Sequence, residues 1–332
     1  MKNALVSVII TSYRGSLMIN DAIDSALKQT YDNLEIIVVD DNGRGTEEQL
    51  KTEEKVQLYK DKIEYIVHDK NLNGAAARNT GIKCCHGEYI AFLDNDDLFL
   101  PNHIEKCVDK ILKTKKDAVL CNVLFSNNNI LYDYGIAETR DLAKKLLIKR
   151  AGLYTGSNLF LRTNCVRQIK GFDEQFTRLQ DIEFMIRFLE KYSIVALQEF
   201  QIIKRHNGNM NVPCYEKHIL INECFINKFK KQISELNDDE QKLFYKQLDI
   251  EMFNNAVFEG NNINIKNAYG KLHDKNAISW KIRIKYYSGI MGQGEKMSNL
   301  SFKMKRILKK KKLKSIYKEL VENRLLMQNM GV

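Results

Sequence analysis

The chain has 332 residues, of which 44% are hydrophobic and 9% aromatic, so it can bury a core and lacks the composition of a disordered protein. Its longest apolar runs, such as residues 5–10, are far shorter than the roughly 20 residues that cross a bilayer, and no cleavage-site pattern follows the first methionine. Of the formal charge of +10, residues 301–332 carry +8 (ten Lys or Arg against two Glu), and the remaining +2 requires no polyanionic partner. We therefore expect a cytoplasmic protein that binds no nucleic acid.

The seven cysteines are scattered along the chain, and none of them forms a C-x-x-C pair. An odd number of cysteines without ligand-like spacing argues against a disulfide framework and against a zinc site. We expect these residues to be small buried hydrophobes that stay reduced.

The first hundred residues alternate between short apolar runs and segments with helical periodicity. Strands are predicted at residues 5–10, 34–39, 63–67 and 89–93, with one helix after the first strand and another at 73–82. The nearly continuous Val, Ile and Leu of these strands indicate a parallel sheet with helices on both faces. Such a sheet is open and Rossmann-like, although no G-x-G-x-x-G loop follows its first strand.

The α/β pattern continues as far as residue 212. Helices are predicted near 103–112, 140–149 and 180–191, and strands at 118–125, 157–161, 194–197 and 200–204. Beyond Pro213 the strand pattern stops, and charged helical segments continue to the end. The sequence therefore predicts an α/β domain at residues 1–212 and a helical region at 213–332.

Polar clusters follow three of the predicted strands. They are Thr11 to Tyr13 after the first strand, Asp40 and Asp41 after the second, and residues 94–97 (D-N-D-D) after the fourth. In an open parallel sheet, ligands bind beyond the carboxyl ends of the strands, so these clusters should lie along one edge. Turn or helix-cap duty explains any one cluster, but it explains the coincidence of all three less well.

Asp94 and Asp96 are two residues apart in an extended segment, so their carboxylates project to the same side. Two carboxylates this close repel each other unless a cation lies between them or one takes up a proton. Mg²⁺ and Mn²⁺ prefer oxygen ligands and often bridge carboxylates to substrate phosphates. We predict that Asp94 and Asp96 bind one of these ions; the alternative is an acidic turn before Pro101.

Four segments, in matching order and spacing, resemble the large family-two glycosyltransferases of GT-A fold. They are residues 6–13 (VSVIITSY), 37–42 (IVVDDN), 73–79 (NGAAARN) and 89–97 (YIAFLDNDD). The resemblance covers residues 5 to about 210 and implies a Rossmann-like, mostly parallel GT-A sheet with helices on both faces. It also implies transfer of a sugar from a nucleotide diphosphate donor, most often UDP-linked, in bacterial polysaccharide or glycolipid synthesis.

The resemblance assigns donor contacts to particular residues. Thr11 and Tyr13 would hold the nucleoside, with the Tyr13 ring stacked on the base. Asp41 would accept a hydrogen bond from the N3–H of uracil, and a role in the local turn is the alternative. Arg78 would lie near the diphosphate, because a guanidinium suits phosphate oxygens; a solvated surface arginine is the alternative there.

The resemblance also extends the predicted metal site. Asp94 and Asn95 would contact the nucleotide sugar, and Asp94 and Asp96 would hold the Mn²⁺ or Mg²⁺. Many relatives carry a histidine after the last core strand that closes over the metal or the diphosphate, and His206 stands at that point. Since a lone histidine is more often an ordinary surface or core residue, that alternative stays open.

Acceptor activation requires a general base, because a sugar hydroxyl is a poor nucleophile at neutral pH. The family supplies this base from a Glu–Asp pair that follows a G-F-D-E segment, here residues 171–174. Asp181 aligns with the catalytic Asp, whereas Gln180 replaces the Glu before it. Apolar neighbours would raise the pKa of Asp181 toward a useful range; a plain helix N-cap is the alternative.

Residues 301–332 combine their basic charge with an apolar stripe at helical spacing. This pattern predicts a basic amphipathic helix that binds an anionic membrane surface, which would make the protein peripheral on the inner face of the cell membrane. Homodimer formation, or packing of the stripe on the catalytic domain, is equally compatible with it. No aromatic-stacking or helix-turn-helix pattern accompanies the charge, which disfavours RNA binding.

The resemblance, taken with these patterns, implies an inverting, metal-dependent hexosyltransferase that acts on a saccharide or lipid-linked acceptor. The alternative function is that of a catalytically silent nucleotide-sugar-binding protein or of an assembly partner of a second transferase. The replacement of the family's glutamate by Gln180 is the feature that favours this alternative.

Overall fold

The computed structural model of the protein describes residues 3–127, 130–205, 212–274 and 278–290. The described residues form two compact units: the first holds residues 3–143 and 152–205, and the second holds 144–151 and the residues from 212 onward. The predictions for His206 and for the 301–332 tail lie outside the described residues.

The first unit begins with alternating strands and helices. These are β1 (Val6–Ser12), α1 (Ile19–Leu27), β2 (Leu34–Asp40), α2 (Glu47–Val56), β3 (Glu64–Val67), α3 (Gly74–Cys84) and β4 (Tyr89–Asp94). The elements that follow are β5 (Asp97–Phe99), α4 (His103–Thr114), β6 (Ala118–Asn127), β7 (Ile130–Gly135), α5 (Leu142–Leu147), β8 (Phe160–Arg162), α6 (Thr163–Gln168), α7 (Gln180–Leu189) and β9 (Ile194–Arg205).

The strands form one sheet in the order β3-β2-β1-β4-β8-β6-β9-β5, with β7 paired to β6. The half from β3 to β4 is parallel throughout, as its continuous apolar strands predicted. In the other half, β8, β7 and β5 pair antiparallel with their neighbours, while β6 and β9 pair in parallel. The predicted α/β class with a mostly parallel Rossmann-like sheet is therefore confirmed, with antiparallel pairs confined to the later strands.

Several local predictions differ from the structure. Residues 194–204, predicted as two strands, form the single strand β9, which pairs with β6 across register shifts. Residues 157–161 are split between a 3-10 turn at Gly156–Asn158 and the short strand β8. Helix α2 was not predicted because its inward face is partly polar, with Gln49 and Thr52 buried beside Val56.

The sheet register positions the polar clusters. Thr11 of β1 lies between Val39 of β2 and Asp94 of β4 in parallel register. The residues before these positions, such as Ile10 and Leu93, are fully buried and fix the strands in the core. All three polar clusters therefore emerge at the same edge of the sheet, as the strand-end rule predicted.

The second unit is helical among its described residues. Its main helices are α8 (Tyr215–Lys228), α9 (Lys230–Ser234), α10 (Asp238–Glu259), α11 (Asn262–Asp274) and α12 (Trp280–Ile290). A capping box between Asn237 and Glu240 starts α10, and Gly260 ends it with a positive φ of 74°. No helix in the described part of the chain is long and apolar enough to cross a membrane.

Candidate active site

Asp41 is buried at the end of β2, and the protein itself binds its carboxylate. One oxygen lies 2.7 Å from Nδ1 of His68 and accepts from the backbone N–H of Leu72 at 2.8 Å. The other oxygen accepts from Nδ2 of Asn71 at 2.8 Å and from the N–H of Asn73 at 2.9 Å. A carboxylate has about four acceptor positions, so these four donors shape the turn before α3. A base contact at Asp41 would require one of these bonds to open.

Thr11 lies one residue before the end of β1, and Tyr13 directly follows the strand. The backbone carbonyl of Thr11 accepts from the N–H of Asn95 at 3.2 Å, which ties β1 to the acidic run after β4. The ring of Tyr13 is exposed, and the guanidinium carbon of Arg14 lies 5.1 Å from its centroid. An exposed ring at the edge where ligands bind is available for stacking on a base.

Arg78 connects α3 to the end of β4 and to the start of α7. Its Nη2 lies 2.6 Å from Oδ1 of Asp94, and its Nη1 donates to Oε1 of Gln180 at 3.0 Å. The side chain is buried, so the interpretation of Arg78 as a solvated surface residue is wrong. A Cβ on Gly156 would lie 2.5 Å from Nη2, which explains why glycine stands there.

Three carboxylates, those of Asp94, Asp96 and Asp97, lie at the end of β4 and just after it. Asp97 is fully buried and accepts from Oγ of Ser157 at 2.7 Å and from the hydroxyl of Thr155. Burial and the charges of Asp94 and Asp96 raise the pKa of Asp97 to about 7, against the lowering effect of the two hydroxyls. Burial and the charge of Asp94 also raise the pKa of Asp96.

This concentration of carboxylates has the chemistry of a divalent-ion site. Its donors are all oxygens, which are the ligands that Mn²⁺ and Mg²⁺ prefer. The raised pKa values of Asp96 and Asp97 come from burial first and then from mutual repulsion, which a cation would relieve. The residues present therefore fit the predicted ion at Asp94 and Asp96. Sequence reasoning missed the support that Thr155 and Ser157 give to Asp97, because they lie about 60 residues away in the chain.

Two buried donors in this region have no hydrogen-bond partner within the described residues. They are Nε of Arg78 and Nδ2 of Asn95. The Asn95 amide packs so closely on Gly15 that a Cβ there would lie 1.4 Å from Nδ2. Because buried polar groups are nearly always satisfied, such donors beside a carboxylate cluster indicate a site for a polar ligand.

Asp181 is the second residue of α7, so the alternative that it caps this helix is wrong. The cap position belongs to Leu179, whose backbone is left-handed with a φ of 59°, an uncommon conformation outside glycine that is often found at functional sites. Burial raises the pKa of Asp181, although the nearby charge of Arg78 lowers it. The charge of Asp94 also acts on Asp181, so the structure brings the predicted base to the same group as Arg78 and Asp94.

Glu183 has a different role from Asp181 on the same helix. It is fully buried and forms a two-point ion pair with Arg187, at 2.5 Å to Nε and 2.8 Å to Nη2. Arg187 also donates to the carbonyls of Ile169 and Gly171, at 2.8 Å each. The Glu183–Arg187 pair therefore fixes α7 to the turn before Phe172.

An aromatic pair that sequence reasoning did not identify lies beside the carboxylates. The rings of Tyr134 and Tyr154 are partly exposed, and their centroids are 5.7 Å apart in an edge-to-face arrangement. Tyr154 has a left-handed φ of 71°, and a Cβ on Gly135 would lie 2.2 Å from its ring. Lys204 donates to the Tyr154 carbonyl at 2.9 Å, and Tyr154 directly precedes Thr155 of the acidic site.

The strand order, with polar clusters at the ends of β1, β2 and β4, is that of the GT-A glycosyltransferase fold. The chain belongs to glycosyl transferase family 2, whose model matches residues 7–169. A Rickettsia typhi protein described as the uncharacterized glycosyltransferase RT0329 is 33% identical over 240 residues, which cover 69% of this chain and 73% of that protein.

A relative with a described activity comes from Escherichia coli. It is named UDP-Glc:alpha-D-GlcNAc-diphosphoundecaprenol beta-1,3-glucosyltransferase WfgD, and it is 29% identical over 232 residues, covering 70% of this chain and 83% of that protein. The chain spans less than half the length of three relatives from Rickettsia bellii, Rickettsia felis and Rickettsia conorii, at 28%, 44% and 37% of those proteins.

Solved structures share the fold at low sequence identity. Residues 1–349 of S. aureus TarS, in complex with UDP-GlcNAc, match with a TM-score of 0.57 and 17% identity, covering 90% of this chain and 91% of that one. The mannosyltransferase PcManGT from Pyrobaculum calidifontis, in complex with GDP-Man and Mn²⁺, matches with a TM-score of 0.53 and 16% identity, covering 86% and 79%.

Proposed function

We propose that this protein is an inverting glycosyltransferase that moves a hexose or N-acetylhexosamine from a UDP-linked donor to a hydroxyl of a saccharide or lipid-linked acceptor. The observation that carries this proposal is the convergence of Arg78, Asp94 and Asp181 at the carboxyl edge of the sheet. There Arg78 lies 2.6 Å from Asp94, and both charges act on Asp181. This arrangement supports a site in which a cation, a proposed metal ligand and a proposed base act together.

On the donor side, Asp94 and Asp96 would hold Mn²⁺ or Mg²⁺, with His206 as the third proposed ligand. When bound, such an ion offsets the charge of the departing diphosphate. Nε of Arg78 is a buried donor without a partner among the described residues, and a phosphate oxygen would satisfy it. The UDP-sugars in the descriptions of the TarS complex and of the E. coli relative support a UDP-linked donor.

On the acceptor side, Asp181 would take the proton of the attacking hydroxyl. Burial raises the pKa of Asp181, which makes its carboxylate a stronger proton acceptor. The oxygen then attacks the anomeric carbon from the face opposite the leaving diphosphate, and this single displacement inverts the configuration at that carbon.

We place the acceptor saccharide on the side of Tyr134 and Tyr154. The apolar C–H face of a pyranose ring packs well on an aromatic ring, and these two rings are both exposed and lie edge to face. Tyr154 also adjoins Thr155, whose hydroxyl lies 3.3 Å from Asp94. An acceptor on these rings would therefore lie next to the donor site.

A catalytically silent nucleotide-sugar-binding protein is the rival, and Gln180 is the observation that favours it. Gln180 removes the charge of the glutamate that the family usually has at this position. Its Oε1 nevertheless accepts from Nη1 of Arg78 at 3.0 Å. Gln180 therefore keeps the hydrogen bond to Arg78 that a glutamate could accept. It does so without a negative charge that would repel the donor's diphosphate.

A screen of UDP-, GDP- and dTDP-linked sugars with Mn²⁺ separates the two functions. We expect slow hydrolysis of a UDP-sugar without acceptor, because water can replace the acceptor hydroxyl, and we expect a chelator to stop it. Release of UDP measures the reaction. Tight UDP-sugar binding without hydrolysis or transfer would support the silent protein, and binding of GDP-sugars alone would contradict the UDP assignment.

Removing the aromatic pair should affect the acceptor alone. We expect Tyr134→Ala combined with Tyr154→Ala to raise the KM for a GlcNAc-diphosphate-lipid analogue by about tenfold, equal to about 1.4 kcal/mol, while UDP affinity stays within about twofold. Tyr245→Ala, in the second unit, is the matched control because Tyr245 is exposed to the same degree as Tyr134. A parallel loss of UDP affinity would assign the rings to the donor instead.

A further inference from the structure

Three side chains that are separated in sequence meet inside the core of the first unit. His103 and Cys107 lie one turn apart on α4, and Cys121 lies in β6. The two sulfur atoms are 3.7 Å apart, and Nδ1 of His103 lies 3.7 Å from the sulfur of Cys107 and 3.9 Å from that of Cys121. All three residues are at most 2% exposed.

These distances match one face of a tetrahedral zinc site. Zinc binds sulfur at about 2.3 Å and histidine nitrogen at about 2.0–2.1 Å, so tetrahedral geometry puts neighbouring ligand atoms about 3.5–3.8 Å apart. The three observed separations of 3.7, 3.7 and 3.9 Å therefore need almost no rearrangement to take up the ion. Among the described residues, no fourth His, Cys, Asp or Glu joins the group, so these residues supply three of the four ligands of such a site.

The backbone at Cys121 is held by a side chain as well as by strand pairing. The register between β6 and β9 shifts between Cys121 and Asn122, which is the pattern of a β-bulge. Asn158 brackets the residue, since its Oδ1 accepts from the Cys121 N–H at 2.8 Å and its Nδ2 donates to the Cys121 carbonyl at 2.9 Å. The extra residues of this irregularity lie in β9, so β6 keeps its alternation and Cys121 lies on the same face as Val119 and Val123, in the core cluster that includes Cys107.

We infer that His103, Cys107 and Cys121 form a structural zinc site. Soft thiolate ligands select zinc or Cu⁺ over the hard ions expected at the active site. Two thiolates and a neutral imidazole make a site with no net charge around Zn²⁺, whereas Cu⁺ would leave one negative charge in the core. Because an uncompensated buried charge is costly, the burial of the group favours zinc.

The zinc site has a consequence for the proposed active site. Asn158, which holds Cys121, belongs to the same turn as Ser157, and Ser157 donates to Asp97 at 2.7 Å. The ion would cross-link α4 to β6 directly beneath this turn. It would act on the protein's stability and on the position of the turn, and it takes no part in sugar transfer.

The test is the metal content of the intact protein, purified under reducing conditions. We expect about one zinc per chain by elemental analysis, lost in Cys121→Ser and retained in Cys165→Ser, which changes a buried cysteine outside the group. Zinc should also remain in Asp94→Asn/Asp96→Asn, which separates this site from the proposed catalytic one. Replacement of zinc by Co²⁺ should produce thiolate-to-metal absorption in the near ultraviolet.

A second measurement covers the outcome in which Cys121→Ser does not fold. Stripping zinc from the wild-type protein should lower its Tm, and returning Zn²⁺, but not Mg²⁺, should restore it. Zinc-free wild-type protein whose Tm ignores added Zn²⁺ would overturn the site. Equal zinc in Cys121→Ser, or a Cys107–Cys121 disulfide found by mass spectrometry in the reduced preparation, would overturn it as well.

Discussion

Replacing Asp94 and Asp96 together by asparagine is expected to abolish Mn²⁺-dependent binding of UDP while the protein stays folded. Asparagine keeps the size of both side chains and removes their charges, which are the main attraction for a divalent ion. Mutating residues that only hydrogen-bond metal ligands already lowers metal affinity by about 10- to 100-fold. For the ligands themselves we expect UDP affinity in the presence of Mn²⁺, measured by calorimetry, to fall by about 100-fold or more.

Residual binding in this variant should be independent of metal and sensitive to salt. Arg78 loses its partner at 2.6 Å when residue 94 is uncharged, and its free charge can still attract a diphosphate. Arg78 is buried, but the diphosphate reaches it from solvent, where charge interactions are screened within about 8 Å at physiological ionic strength, so added salt should weaken this remainder. Asp97 should not replace the lost ligands, because it is buried and engaged by Thr155 and Ser157.

The matched control is Asp239→Asn, which removes a carboxylate whose side chain is 97% exposed in the second unit. It should bind UDP with Mn²⁺ as the wild type does. Metal-dependent binding that survives in the double variant at full strength would contradict the assignment of Asp94 and Asp96 as metal ligands.

The half of the sheet from β3 to β4 could be predicted because three of its four strands, β1, β2 and β4, are buried on both faces. Continuous apolar runs such as residues 36–39 favour the centre of a covered sheet over any other place for a strand. Parallel strands also end at a common edge, so the meeting of Thr11 and Asp94 followed from the order of elements alone. This rule is why the sequence alone predicts the acidic residues of the candidate site.

The later half of the sheet was less predictable because its strands are short or depend on distant partners. β5 has three residues, Asp97–Phe99, and is defined by antiparallel pairing with a strand about 100 residues later. The same holds for polar contacts: nothing local links Asp97 to Ser157, and nothing in the cysteine spacing links Cys107 to Cys121. Such contacts depend on tertiary packing, which periodicity does not report.

The second prediction with a large expected effect concerns the proposed base. We expect Asp181→Asn to lower kcat by about 10²- to 10⁴-fold, the usual contribution of general acid–base catalysis, and to leave UDP affinity within about twofold. Only activation of the acceptor hydroxyl is removed, so the loss should appear in kcat rather than in donor binding. Steady-state transfer kinetics and calorimetry with UDP measure the two quantities.

The raised pKa of Asp181 predicts the direction in which activity and stability change with pH. Asp181 acts as a base only when it is ionised, so wild-type transfer should fall as the pH drops through its raised pKa. The Asn variant should lose this acidic limb. A carboxyl group whose pKa is higher in the folded than in the unfolded state stabilises the fold at low pH, and this contribution disappears as the pH rises through the folded pKa. At neutral pH the Asn variant should therefore be no less stable than the wild type, which a purely structural aspartate would not allow.

Neighbouring carboxylates provide the control. Glu174 is exposed and accepts from Nδ2 of Asn79 at 2.8 Å, so Glu174→Gln should change kcat by less than about threefold. Glu183 is unsuited to this comparison, because its carboxylate is buried in an ion pair with Arg187 that holds α7 in place. Removing that carboxylate would leave the charge of Arg187 unpaired and destabilise the packing of α7. A fall of less than about tenfold in Asp181→Asn, or a larger fall in Glu174→Gln, would move the base to Glu174. Because Glu174 carries its carboxylate at the surface, that result would also place the acceptor hydroxyl outside the group formed by Arg78 and Asp94.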